Sequence, residues 1–227
     1  MDALSLLHGL RFVDSFFPSG GYAFSSGLEA AVQAGAVKDT TQLAAYVEDL
    51  LHGGMGRREA VAACVASRAG ASGNAADAIA VDRELDSMKL SRDGRLASRQ
   101  MGRQVMKIAA EQLEGKAVLR NYLAAMECEK APGHLPVCLG LTLGACGWKA
   151  EEAVAAYLYQ TAAGLVSAAM RLLPIGQREG QSLIEGWLPL IYRISREVTP
   201  VPLSSWSPVQ DIYGMRHGQL EWRLFRS

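Results

Sequence analysis
The sequence predicts an all-α fold, an irregular single-domain bundle of about eight to ten helices followed by an extended C-terminal tail. Three observations carry this. Alanine and leucine dominate, and apolar residues recur at helical spacing from Asp2 to Val198. Alternating runs of β-branched residues, the mark of half-buried strands, are missing. Clusters such as Gly20-Gly21, Pro132-Gly133 and Pro174-Ile175-Gly176 punctuate the periodic segments. With 227 residues, 49% of them hydrophobic, the chain has enough apolar side chain for one sizeable core.

The elements follow in order. Leu4, Leu7, Leu10 and Phe12 form a helical stripe that stops at Pro18, which cannot continue a helix, and at Gly20-Gly21. Ser26 is the expected N-cap of the next helix, with Glu29 three residues on completing a capping box and Gly35 closing it at C′. Asp39 or Thr40 caps a helix carrying Leu43, Val47, Leu50 and Leu51, which Gly53-Gly54 are expected to end. Residues 57–68 read as helix and 70–73 as a loop of small residues. Helices are predicted over 75–88, 96–113, 118–129, 135–146, 151–173 and 181–198, with Pro189 kinking the last. From Pro200 onward, prolines and serines predict an extended segment, dividing the chain into a helical domain (1–199) and a tail (200–227).

Charge and targeting signals narrow the function. Lys+Arg and Asp+Glu number 23 each, so nothing electrostatic draws the chain to nucleic acid or an anionic membrane. A zero net charge also gives little colloidal repulsion, which favours self-association or a standing partner. Met1-Asp2-Ala3 opens no signal peptide. The uncharged stretch 153–170 approaches membrane length, but its alanines, Gln160, Thr161 and Ser167 read as a buried helix, so no membrane span is expected. The four cysteines form no Cys-x-x-Cys pair; free thiols and a cytoplasmic location are expected.

Catalytic motifs are missing. There is no P-loop, no Gly-x-Ser-x-Gly elbow and no His-Glu-x-x-His, so the reading is a non-enzyme with no cofactor and no catalytic residue. Cys128, His134, Cys138 and Cys146 lie within nineteen residues and are of the type that holds zinc or nickel. Their spacing matches no closed site and Cys138 and Cys146 sit in an apolar stretch, so no metal site is assigned. His8 and His52 are lone histidines on apolar helices and read as packing residues.

Three segments stand out. Residues 15–29 set four aromatics around Pro18, Gly20 and Gly21, including Tyr22, as either a tight interhelical loop or a binding surface. At 174–181 a sharp break places Gln177 and Gln181 on one helical face, either as a buried amide network or as a surface. At the end, Trp222, Leu224 and Phe225 beside Arg223 and Arg226 have the composition of an interface, unless the tail folds back on its own bundle.

Taken with Gly27-Leu28-Glu29, Arg95, Ala97-Ser98, Met101-Gly102-Arg103, His134-Leu135-Pro136-Val137, Gly140, Leu173–Gln177, Gly180-Gln181, His217 and Arg223–Ser227, these segments resemble the UreF family of urease accessory proteins over nearly the whole chain. The resemblance implies an all-α homodimer acting as a scaffold or chaperone. It implies binding to a second accessory protein, UreD (also called UreH), and recruitment of the GTPase UreG, so that nickel is inserted into apo-urease. It implies a tail that becomes ordered on partner binding, with Pro18, Gly20, Gly21, Tyr22, Gln177, Gln181, Arg216, His217, Trp222, Arg223, Leu224 and Phe225 as partner-binding residues. One departure is visible: the family commonly has His-Glu in the tail, whereas His217 is followed here by Gly218, with Glu221 the nearest carboxylate. Two alternatives stay open at this point: activation of the partner GTPase by an arginine supplied in trans (Arg216, Arg223 or Arg226), and direct carriage of nickel by the cysteine cluster.

Overall fold
A computed structural model describes residues 2–198 and 202–226. Among them there is no strand, and the chain forms an all-α bundle. Its α-helical segments are α1 (Ala3–Val13), α2 (Leu28–Gln33), α3 (Thr40–Leu50), α4 (Ala60–Ser72), α5 (Ala76–Met88), α6 (Arg92–Gln112), α7 (Ala117–Glu127), α8 (Leu135–Ala145), α9 (Ala150–Leu172), α10 (Gln177–Glu197) and α11 (Pro208–His217).

The centre is α8, every residue of which from Pro136 to Ala145 is buried. A helix apolar on all sides must be surrounded, and α4, α6 and α9 do this. The packing against α4 is backbone to backbone. A Cβ at Gly140 would overlap the Ala63 carbonyl, and one at Gly144 the Ser67 carbonyl; a Cβ at Gly70 would overlap the Leu141 carbonyl. The small residues at 63, 67, 70, 140 and 144 therefore let two helices approach more closely than larger side chains permit. Gly70 is thus inside α4, and the loop expected over 70–73 shrinks to the turn at Gly73, which caps the helix at φ +78°.

Gly53-Gly54 do not end a helix. The chain passes from α3 through a π-helical stretch, Leu51–Glu59, directly into α4. The glycines serve a close approach: a Cβ on Gly53 would collide with the Trp206 carbonyl, and one on Gly54 would lie 2.6 Å from Ser207 Oγ. A run of glycine in sequence cannot distinguish a stop from a landing place for another backbone.

Two further boundaries moved. Ser26 does not cap α2; it has positive φ, Gly27 at φ +85° precedes the helix, and Glu29 is not part of a capping box. Gln177 rather than Gln181 begins α10, which runs through Pro189 to Glu197. α9 is long and apolar enough by composition to cross a bilayer, but half of that stretch is buried in the bundle against α4, α8 and α10. Pro200 and the 199/200 domain boundary lie outside the described residues. Beyond them the extended reading gives way to α11, because Pro208 occupies the first helical turn, where its missing N–H costs nothing. Trp148 and Trp187 are core residues, whereas Trp206 and Trp222 are exposed.

Candidate partner-binding site
The site grows from α2. Glu29 lies in a helix whose neighbours Leu28, Ala30 and Ala31 are buried, and it is itself only 2% exposed. A carboxylate carried inside by apolar neighbours must find donors. It finds three, all from the tail: His217 Nε2 stands 2.9 Å from Oε2, the Leu224 N–H donates to Oε1 at 2.6 Å and the Phe225 N–H to Oε2 at 3.1 Å. Asp93, in the first turn of α6, adds a second carboxylate, 3.8 Å from His217 Nδ1 and 3.7 Å from Arg223. Phe225 is buried beneath Arg171 of α9, whose guanidinium lies 4.3 Å from the ring centroid and also donates to the Tyr22 carbonyl at 2.9 Å. The Arg226 N–H donates to the Ala23 carbonyl at 2.8 Å. The 20–24 loop, where Gly20 takes φ +79°, and the tail therefore meet around Arg171 and Glu29.

This sorts the expected residues. His217 and Phe225 face inward and hold the tail to its own bundle, whereas Trp222, Leu224, Arg216 and Arg223 face outward. Tyr22, whose carbonyl meets Arg171, is exposed, with Gly20 and Gly21 half-buried in the loop; Pro18 is exposed too, but in a groove with Leu7, Leu10 and Ile108 and not with the tail. Gln177 and Gln181 are exposed at the start of α10 and form no buried amide network; instead Gly180 between them packs toward Val166 and Met170. Glu29, Asp93 and Arg171 were not expected at the site. The signal for Glu29 was a lone carboxylate among apolar residues; Asp93 and Arg171 carry no local signal, because only the fold brings them to the tail.

The outer face of α11 continues the exposed surface. Val209, Ile212 and Met215 are exposed while Gln210 and His217 are buried, so the usual amphipathic order of a helix is reversed. Contiguous exposed apolar side chains of this kind make the face a candidate interaction surface.

Two other buried polar groups lie behind it. Glu59, at the end of the π stretch, meets Lys89 and lies 3.5 Å from Arg58. Burial alone would raise its carboxyl, but the two cations outweigh burial and hold it at about 2. At the start of α8, buried Asp82 accepts from Tyr122 Oη (2.7 Å) and from the Gly133 (2.6 Å) and His134 (3.1 Å) N–H groups. His134 Nε2 in turn lies 2.9 Å from Asp86. His134 is therefore a buried helix-start residue. Cys138 and Cys146 are buried, which pushes both thiols up and away from the thiolate a metal takes, while Cys128 is exposed at the end of α7. Among the described residues, no group of three or more His, Cys, Asp or Glu side chains is arranged to hold a metal ion.

Comparison with known proteins bears on the whole arrangement. The family model described as UreF matches residues 37–187. The chain belongs to the UreF family. A urease accessory protein UreF of Cereibacter sphaeroides (strain KD131) is 30% identical over 226 residues, 98% of this chain and 99% of its own length. Those of Methylobacterium sp. (strain 4-46) and Methylorubrum populi are 33% and 31% identical, covering 96% and 100% of this chain and 87% and 100% of their own. UreF relatives thus span the loop at 20–24, α11 and the tail as well as the matched core.

Proposed function
We propose that the protein is a non-catalytic scaffold in urease maturation. It would bind a UreD/UreH-like protein through the tail and, through that complex, bring the GTPase UreG to apo-urease for nickel insertion, acting as a homodimer in the cytoplasm. The observation that carries this is the exposed apolar surface of α11 and the tail, Val209, Ile212, Met215, Trp222 and Leu224, held in place by the buried Glu29. In this reading Tyr22, Gly20, Gly21, Arg216 and Arg223 would serve as its rim, while Pro18 lines a separate groove with Leu7, Leu10 and Ile108, and the exposed Gln177 and Gln181 would form a second patch on α10. His217 and Phe225 serve it indirectly, by fixing the tail from below.

Aromatic anchors at the centre of an interface lose about 2 kcal/mol or more on truncation, about thirtyfold in affinity. Trp222→Ala and Leu224→Ala are each expected to weaken binding to the purified UreD-like protein by that factor, with unchanged thermal stability. Titration calorimetry reads the first and a melting curve the second. Wild-type affinity in both variants would overturn the tail as the binding surface.

A further inference from the structure
The π-helical stretch Leu51–Glu59 delivers two charged residues in succession, Arg58 and Glu59, into the wall of a chamber of about 140 Å³. π-Helical turns are rare and recur at functional sites. Both side chains are more than nine-tenths buried, and each is left with one unpaired atom. Of the Arg58 guanidinium, Nη1 donates to the Met88 carbonyl at 3.3 Å and Nη2 lies 3.5 Å from Glu59 Oε1, so only Nε has no partner among the described residues. Of the Glu59 carboxylate, Oε1 takes Lys89 and Arg58, and Oε2 has no partner among them. Other polar groups of the wall are occupied: Ser98 Oγ accepts from the Leu135 N–H, Thr161 Oγ1 donates to the Tyr157 carbonyl and Gln210 to the Tyr46 carbonyl.

We infer that this chamber is a binding site for a small uncharged molecule carrying a primary carboxamide. The inference concerns the chain by itself and goes beyond the partner reading. A buried donor and a buried acceptor, both unpaired and on successive residues, call for a ligand with an acceptor and a donor on one edge. A carboxamide has both: its C=O accepts from Arg58 Nε and its NH₂ donates to Glu59 Oε2. Lys89 and Arg58 keep Glu59 ionised against its burial, so it stays an acceptor. Charge disfavours ionic ligands. The wall sets Arg58 and Lys89 against Glu59 and Asp211, two cations against two carboxylates, so neither an anion nor a cation gains from it. Size sets a limit. One water needs ~10–15 Å³, so the chamber has room for about ten non-hydrogen atoms. Leu50, Met55, Met101 and Leu135 complete the lining and suit an apolar body behind the amide. Ser26 and Leu90, both exposed, also line it, so the chamber borders solvent with α11 and the tail in place.

Benzamide fits that size and is the probe. Titration calorimetry on the full chain is expected to show saturable binding of benzamide at a single site. Acetophenone has the same shape and acceptor but no N–H, and benzoate brings a charge and no donor; each is expected to bind about tenfold more weakly or worse. Two variants locate the site. Gly94 lines the chamber inside α6, and a Cβ there meets only Ser91, at 3.4 Å, so Gly94→Leu adds bulk to the lining without displacing backbone. Arg58→Lys keeps the charge and removes Nε. Both are expected to weaken benzamide by about tenfold or more, with a melting curve showing that the variant is folded. The inference is overturned if benzamide does not saturate, if acetophenone binds as tightly, or if a folded Gly94→Leu or Arg58→Lys protein binds benzamide as the wild type does. The comparison of benzamide with acetophenone uses the unaltered protein, so it decides the matter even where a variant fails to fold. None of these readings involves the UreD-like partner, so a failed partner interface and a failed ligand site give different results.

Discussion

Glu29 shows how one side chain changes meaning with context. In sequence it completes a capping box; in the fold it accepts from three tail donors, because Ser26 adopts positive φ and cannot cap. His134 shows the same at the start of α8. Burial lowers its pKa to about 4, and the geometry explains why: Nε2 faces Asp86, while Nδ1 is buried with no hydrogen-bond partner, so a second proton would be stranded. A base whose folded pKa is depressed contributes stability at neutral pH that is lost as pH falls from 6.5 toward 4, about 3 kcal/mol once below both values. Asp82 works in the opposite sense. Burial raises it to about 6 despite its three donors, so it gains a proton in the fold first and stabilises as pH falls from about 6 toward 3.8. The two nearly cancel. Melting temperature is expected to change little through these two groups between pH 6 and 4, and in His134→Gln, where only the Asp82 effect remains, to rise on acidification. Thermal scans across that range check it; parallel profiles for the two proteins would refute it.

Among the elements, the α4–α8 pair decides the architecture. Its contacts are made by backbone, so a single methyl has nowhere to go: Gly144→Ala would drive a Cβ into the Ser67 carbonyl. Overpacking of that kind costs about 3 kcal/mol, roughly 6–12 °C in melting temperature for a chain of this size. Gly164, on the open side of α9 with no neighbour near a built Cβ, is the control, and Gly164→Ala is expected to be neutral or slightly stabilising. The helices themselves were legible from the sequence, since 3.6-residue periodicity and capping residues such as Asp39 are local, and Asp39 does accept from the Gln42 N–H. What was not legible depends on distant neighbours. Gly53-Gly54 read as a stop because nothing local says that Trp206 and Ser207 will pass over them. The tail read as extended because its serines and prolines outweighed the short helix that begins at Pro208. At the site, the exposed Trp222 and Leu224 were legible from composition, but the inward roles of His217 and Phe225 needed Glu29 and Arg171 brought across the fold.

At the scale of the molecule, the tail is both part of the bundle and part of its outer surface. Truncation after Gly214 removes the buried His217 and Phe225 together with the exposed Trp222 and Leu224. Losing one buried aromatic costs about 2 kcal/mol, roughly 4–8 °C here. The truncated protein is therefore expected to melt several degrees lower, to remain helical by circular dichroism, and to lose affinity for the UreD-like partner. Unchanged melting would mean that Phe225 contributes no net stability to the bundle.

The division of the four tryptophans has an optical consequence. Trp148 and Trp187 sit in the core, and Trp206 and Trp222 lie at the two ends of the strap formed by α11 and the tail. Emission from the first pair is expected to be blue and shielded from acrylamide, and emission from the second to be red and quenched by it. The native chain thus carries two separate dyes in one spectrum. Denaturation is followed at short wavelengths, while events on the strap are followed by the quenchable fraction at long wavelengths, with no label attached.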